Sequence, residues 1–214
     1  MPQIIETTVF QINELTDAAK EHARIWYRNN CLDYDWYDSI YADFETVAEM
    51  IGLDIKLNAK RHPNGSQTLK PALYFSGFCS QGDGACFEGK YFYKAKASKK
   101  IRSYAPKDTD LHAITDRLQS AQRQHFYNLF ADISHIGHYN HENSMRISVD
   151  FNYDRKNDVS QKAEDEIETA LRDLAKWFYR QLEKEYEWLT ADEQVDEIIT
   201  ANQYTFTSKG TRFG

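Results

Sequence analysis

The chain holds 214 residues, 41% of them hydrophobic and 28% charged, with a formal net charge of −7. That balance supports a packed core and excludes wholesale disorder, while 9 Gly and 4 Pro are too few for fibrous or low-complexity designs. No apolar run approaches the ~20 residues of a membrane span. The opening MPQIIETTVFQ lacks the basic and apolar regions of a secretion signal. Three cysteines without C-x-x-C form neither a disulfide framework nor a zinc ribbon. The expectation is a cytoplasmic protein with reduced thiols and no cofactor.

A short strand is expected in IIETTVFQIN, residues 3–12. A helix should begin after Leu15, with Thr16 as N-cap and an apolar face through Ala19, Ala23, Trp26 and Tyr27. The spacing of Trp36, Tyr37, Ile40, Tyr41, Phe44, Val47, Ala48 and Ile51 predicts a second helix, which Gly52 ends. In DIKLNAK, Ile55, Leu57 and Ala59 alternate with Asp54, Lys56, Asn58 and Lys60, the pattern of a strand with one wet face. HPNGSQ carries the Asn-Gly hairpin signal. PALYFSGF and ACFEGKYFY read as two more strands, joined by CSQGDG. The lysine-rich segment 90–107 then reads as a strand leaving the sheet as a charged edge and loop.

Residues 109–133 read as one helix, with Leu111, Ile114, Leu118, Ala121, His125, Phe126, Leu129 and Phe130 on one face. SMRISVDFNYD alternates Met145, Ile147, Val149, Phe151 and Tyr153 with polar residues and is the clearest strand. A long helix is expected over 159–189, opened by a capping box of Asp158 and Gln161. Thr190 and Glu193 should cap a last helix, 191–200, before a short tail, 201–214. Paired helices between hairpins indicate an α+β fold. It should hold a mostly antiparallel sheet of about four to five strands with helices packed on one face. No linker breaks the chain, so one domain is expected over 1–214, its last third (159–200) helical.

Charge is unevenly placed. Residues 1–60 carry 5 basic and 11 acidic side chains, 61–110 carry 9 and 4, and 161–214 carry 7 and 12. No basic residue falls between Arg28 and Lys56, whereas Asp33, Asp35, Asp38, Asp43, Glu45 and Glu49 all do. Asp38, Glu45 and Glu49 share one side of the second helix, away from its apolar stripe. Such a face can dock on a basic protein groove that otherwise holds nucleic acid. In the basic segment, Lys96, Lys99, Lys100 and Arg102 are interleaved with aromatics, the composition of a nucleic-acid contact. The acidic remainder repels phosphate, so direct nucleic-acid binding is not expected.

Two clusters carry further chemistry. In CSQGDG, the glycines permit positive φ, and freed N–H groups could hold an anion. Alternatively Asp83, Glu88 and Gln81 could hold a cation, or the loop is a tight hairpin closed by an aspartate side-chain turn, the reading favoured on its turn residues. In HIGHYNHEN, His135, His138 and His141 with Glu142 could gather around zinc; the alternative is a helix C-terminus followed by a polar loop. Neither Cys79 nor Cys86 has a basic neighbour in sequence that would activate it.

The segment YFSGFCSQGDGACFEGKY, residues 74–91, followed by GHYNHENSMRISV, residues 137–149, resembles a family of small bacteriophage and prophage proteins. Its members carry an SGF-x-SQGDGA-x-F segment, a helix, and a Y-x-H segment feeding a strand. They are commonly labelled antitoxins of toxin–antitoxin stability systems. The opening ELTDAAKEHARIWYRN is also similar, so the likeness covers most of residues 12–153. The marker residues here are Ser80, Gln81, Asp83 and Glu88. The resemblance brings no catalytic assignment. It implies a partner-neutralising role, as an antitoxin or an anti-defence, anti-CRISPR-like factor.

Three readings follow. The first is a non-enzymatic inhibitor of a bacterial host protein, a toxin or a nucleic-acid-handling complex, contacted through Asp35, Asp38, Asp43, Glu45 and Glu49. The second is a nucleic-acid-binding module using Lys96, Lys99, Lys100 and Arg102. The third is a metal-dependent enzyme using His135, His138 and His141.

Overall fold

Thr16 caps the first helix as expected: its side chain accepts the Ala19 N–H, and α1 runs Asp17–Asn30. A computed structural model describes residues 6–32, 34–63, 65–152 and 159–214. Asp33, Asn64, Tyr153 and Asp158 therefore lie outside the described residues, as do residues 1–5. The remaining helices are α2 (Asp38–Ile51), α3 (Ala97–Tyr104), α4 (Thr109–Gln124), α5 (Gln161–Thr190) and α6 (Asp192–Ala201). Contacts gather the chain into two compact units, Met1–Asp38 with Glu183–Gly214, and Ser39–Leu182.

In the smaller unit, Ala19, Ala23 and Tyr27 of α1 meet Val195 and Ile199 of α6, with Ile12, Leu15 and Phe206 completing the core. The expected strand at 3–12 is not formed over its described part. Phe10 makes one isolated bridge to Phe206, and Ile12–Glu14 is a 3₁₀ turn. Residues 201–214 are no loose tail: β9 (Thr205–Phe206) and β10 (Arg212–Phe213) pair as a hairpin. Arg24 grips Asp196 through two bonds of 2.8 and 2.7 Å, and Asp192 bridges Arg24 and Arg28 at 2.5 Å each. Ala191, not Thr190, is the N-cap of α6, since the Thr190 hydroxyl donates to the Tyr186 carbonyl.

The larger unit is built on a four-stranded antiparallel sheet. Its strands are β1 (Leu53–Ile55), β6 (Gly89–Phe92), β7 (Leu129–His135) and β8 (Met145–Phe151), in the order β1-β6-β7-β8. One face is buried through Leu53, Tyr91, Ala131, Ile133, Met145, Ile147 and Val149. The opposite face carries the Lys90–Asp132 ion pair and the stacked rings of Phe92 and Phe130. Helices cover the apolar face, so the fold is α+β with helices on one side of an antiparallel sheet. Phe44 of α2 packs on Phe178 of α5 at 4.4 Å and on Phe87 at 5.5 Å between ring centroids. All three rings are fully buried, each contributing about 1.5–3 kcal/mol relative to exposure.

Two short hairpins extend from this sheet, β2 (Leu57–Arg61) with β3 (Gln67–Pro71), and β4 (Leu73–Phe75) with β5 (Ala85–Phe87). They arise where three extended segments exchange partners. Lys56 N–H bonds Glu88 C=O, Glu88 N–H bonds Ala72 C=O, and Ala72 N–H bonds Lys56 C=O, at 2.8–3.0 Å. Each segment thus pairs with one neighbour before this ring of bonds and with the other after it. That exchange corrects the reading of DIKLNAK as one half-buried strand: beyond Lys56 it leaves the main sheet, and Leu57 and Ala59 are exposed.

Two other expectations are corrected. Residues 109–133 are not one helix: α4 stops at Gln124, Phe126 and Tyr127 take positive φ, and β7 begins at Leu129. The basic segment is no sheet edge followed by a loop. Strand β6 lies between β1 and β7, and residues 97–104 form α3.

Candidate functional site

The fold brings together the two segments on which the sequence resemblance rests. Residues 76–84 connect β4 to β5, and residues 136–144 connect β7 to β8. Asn140 Nδ2 donates to the Phe75 carbonyl at 3.0 Å, while Ser76 Oγ accepts the Gly84 N–H and lies 3.4 Å from the Asn140 carbonyl. Gly84 does not take positive φ, as its motif position suggested. A Cβ there would stand 3.1 Å from both the Asn140 oxygen and His141 Cα, so it is close approach that demands glycine. Gly82 does adopt positive φ, +102°. From α5, Tyr179 donates its hydroxyl to the Gly77 carbonyl at 2.9 Å and stacks on Phe78.

The polar chemistry of the motif is used internally. Asp83 Oδ2 accepts the N–H groups of Cys79 and Ser80 at 3.0 and 2.7 Å, the aspartate side-chain turn expected of a tight hairpin. Its carboxylate fills the position that an external anion would take. Gln81 is exposed on the same loop. Glu88 is not beside Asp83. It sits at the three-segment junction, bonded by Lys56 Nζ and the Tyr74 hydroxyl at 2.9 Å each. Burial pushes the Glu88 carboxyl up, but these two bonds outweigh it and hold the group below its ordinary value. Among the described residues no group of three or more His, Cys, Asp or Glu side chains is arranged to hold a metal.

The histidines are dispersed. His135 ends a strand rather than a helix, and its Nε2 donates to the Tyr139 carbonyl at 3.0 Å. His138 is exposed. His141 Nδ1 accepts the Asn143 N–H at 3.1 Å and also lies 3.0 Å from Glu142 Oε2; only one of these can be a hydrogen bond at a time. Cys86 is fully buried behind this loop, and burial pushes its thiol up to about 11, against any nucleophilic role at neutral pH.

The acidic and basic segments, far apart in charge terms along the sequence, become neighbours. Asp38 and Glu45 are exposed on α2, but Asp43 receives the Tyr104 hydroxyl of α3, and Glu49 is met by Lys94 Nζ at 3.4 Å. Asp35 accepts the Tyr37 hydroxyl at 2.9 Å. The acidic set is therefore not as free of compensation as its sequence implies. On α3, Arg102 turns away into two hydrogen bonds with Asp116 at 3.0 and 2.6 Å, while Lys99, Lys100 and the N-cap residue Lys96 line a groove of about 670 Å³. Across the groove stand Thr46 and Met50 of α2. Sequence reasoning missed these two, together with Ser103. The signal was the i, i+4 spacing of Lys99 with Ser103 and Lys100 with Tyr104, legible only once 97–104 is taken as helical.

No helix among the described residues is long and apolar enough to cross a membrane. No curated protein and no solved structure matches the chain. A family model described as a domain of unknown function, DUF8835, matches residues 36–192, a span that includes both motif loops and the groove. The chain belongs to the DUF8835 family.

Proposed function

We propose that the chain is a non-enzymatic inhibitor of the kind its phage-protein resemblance implies, binding and neutralising a bacterial protein that handles nucleic acid. The observation that carries this reading is the charge left outward on α2. Among the described residues the helix makes a single ion pair, Glu49 with Lys94, and Asp38 and Glu45 remain exposed without a cation in reach. Like charges kept on one helix face cost a few tenths of a kcal/mol per close pair, and a basic partner surface turns that cost into attraction and a faster encounter. The motif loops support the same reading, since Asp83, Ser76 and Asn140 hold the fold together rather than facing a substrate. Tyr139, 73% exposed beside Gly82, offers an aromatic side chain of the kind partners bury as an anchor.

The test is capture from bacterial lysate with mass spectrometric identification, followed by titration of the captured partner. Inhibition should saturate near one equivalent. Replacing Asp38→Lys with Glu45→Lys should weaken the complex at least about tenfold, mostly through association rate, without changing circular dichroism. Glu49 is spared because it holds Lys94. Full inhibition far below one equivalent would overturn the non-catalytic mechanism, and unaltered binding by the double variant would remove α2 from the interface.

A further inference from the structure

A groove lies between α2 and α3, lined by Thr46, Glu49 and Met50 on one side and Lys96, Lys99, Lys100, Ser103 and Tyr104 on the other. Two contacts reach α2 from the residues around it: the Tyr104 hydroxyl to Asp43, and Lys94 Nζ to the Glu49 carbonyl at 2.6 Å. The groove has a volume of about 670 Å³, within the range of small-ligand sites, and Glu49 and Tyr104, one partner of each contact, line it.

Its walls differ in chemistry. Lys99 and Lys100 of α3 and its N-cap residue Lys96 present three ammonium groups, and among the described residues none of them lies in an ion pair. The only carboxylate lining the groove, Glu49, is already met by Lys94. Met50 and the Tyr104 ring, 44% exposed, supply apolar surface. The hydroxyls are constrained. Thr46 Oγ1 donates to the Ala42 carbonyl at 2.9 Å, and Ser103 Oγ donates to the Lys99 carbonyl at 3.1 Å. With their protons committed, both oxygens offer only lone pairs, so they recognise N–H donors. A fitting ligand carries several negative charges, a flat ring for Tyr104 and Met50, and N–H donors on that ring.

We propose that this groove binds a nucleoside polyphosphate, with phosphates on Lys96, Lys99 and Lys100, the base against Tyr104 and Met50, and its exocyclic amine directed to Thr46 or Ser103. This site stands apart from the partner-binding reading and does not depend on it. The chemistry is binding only.

Calorimetric titration of the full chain with ATP, inorganic triphosphate and adenosine separates the contributions. ATP should bind at one site, more tightly than triphosphate and adenosine by about tenfold or more, since base–aromatic contact and charge each contribute. The affinity should fall steeply with salt. Replacing Lys96, Lys99 and Lys100 together by Ala should weaken ATP at least about tenfold, a solvent-facing change that leaves the thermal melt in place. Tyr104→Phe keeps the ring and loses the hydroxyl that reaches Asp43; it should hold affinity within about threefold, whereas Tyr104→Ala loses about tenfold. Equal binding of triphosphate and ATP would overturn the ring site. So would ATP affinity unchanged in the triple variant, or no ATP binding at all.

Discussion

Gln122 closes the open end of a sheet. The register of β6 with β7 ends at Phe92 opposite Phe130, so Leu129, one step further, has no strand partner on that side. The Gln122 amide takes both vacant ladder positions: Nε2 donates to the Leu129 carbonyl at 2.7 Å and Oε1 accepts the Leu129 N–H at 3.1 Å. Both residues are buried, at 0% and 1% exposure, so water cannot replace the side chain. The neighbouring Tyr91 phenol is pushed up chiefly by burial. Gln122→Met keeps length and apolar volume while orphaning two backbone groups. At about 1–3 kcal/mol for each of the two buried unsatisfied groups, less about 1 kcal/mol for added apolar burial, the loss should be about 1–5 kcal/mol. That is a large part of the 5–15 kcal/mol typical of a domain. Urea unfolding measures the loss, and amide exchange at Leu129 localises it. A change below about 1 kcal/mol, or unchanged Leu129 protection, would show that the amide does not complete the ladder.

Gly84→Ala should destabilise by about 1–3 kcal/mol, because its Cβ meets the backbone of residues 140 and 141 and overpacking forces one motif loop off the other. Thermal melts check it, and an unchanged melting temperature would mean the loops do not approach as closely as described. Glu88→Gln tests the junction by pH. The folded carboxyl titrates below its ordinary value of 4.5, so its stabilisation is fully present above that pH and is lost as pH falls through the lower folded value. The variant should be less stable at neutral pH and show a shallower loss of stability below pH 4.5. Parallel stability–pH curves for the two proteins would refute this.

Local periodicity determined much of the architecture. The stripe through Phe44, Val47 and Ile51, the cap at Thr16, the pairing of β2 with β3 and the alternation of Met145, Ile147 and Val149 each appear where sequence places them, because helix and strand faces are set by neighbours within one or two turns. The Asp83 turn was legible for the same reason: its partners are three and four residues away. What failed was everything that depends on distant partners. The stripe of α4 can be extended at helical spacing through His125, Phe126, Leu129 and Phe130, and β6 and β8 on either side decide for the strand instead. Lys56 is an ordinary strand residue until Ala72 and Glu88 converge on it and redirect the chain. The acidic run on α2 looks uncompensated because Lys94 and Tyr104 lie 45 and 61 residues beyond their carboxylates. His135 and His141 are close in sequence, yet a strand end and a loop carry them to separate partners. Residue order sets the local backbone geometry, whereas charge neighbours and binding surfaces are set by which segments the core brings side by side. The groove between α2 and α3, with its lysines opposite Met50 and Thr46, therefore exists only in the folded chain.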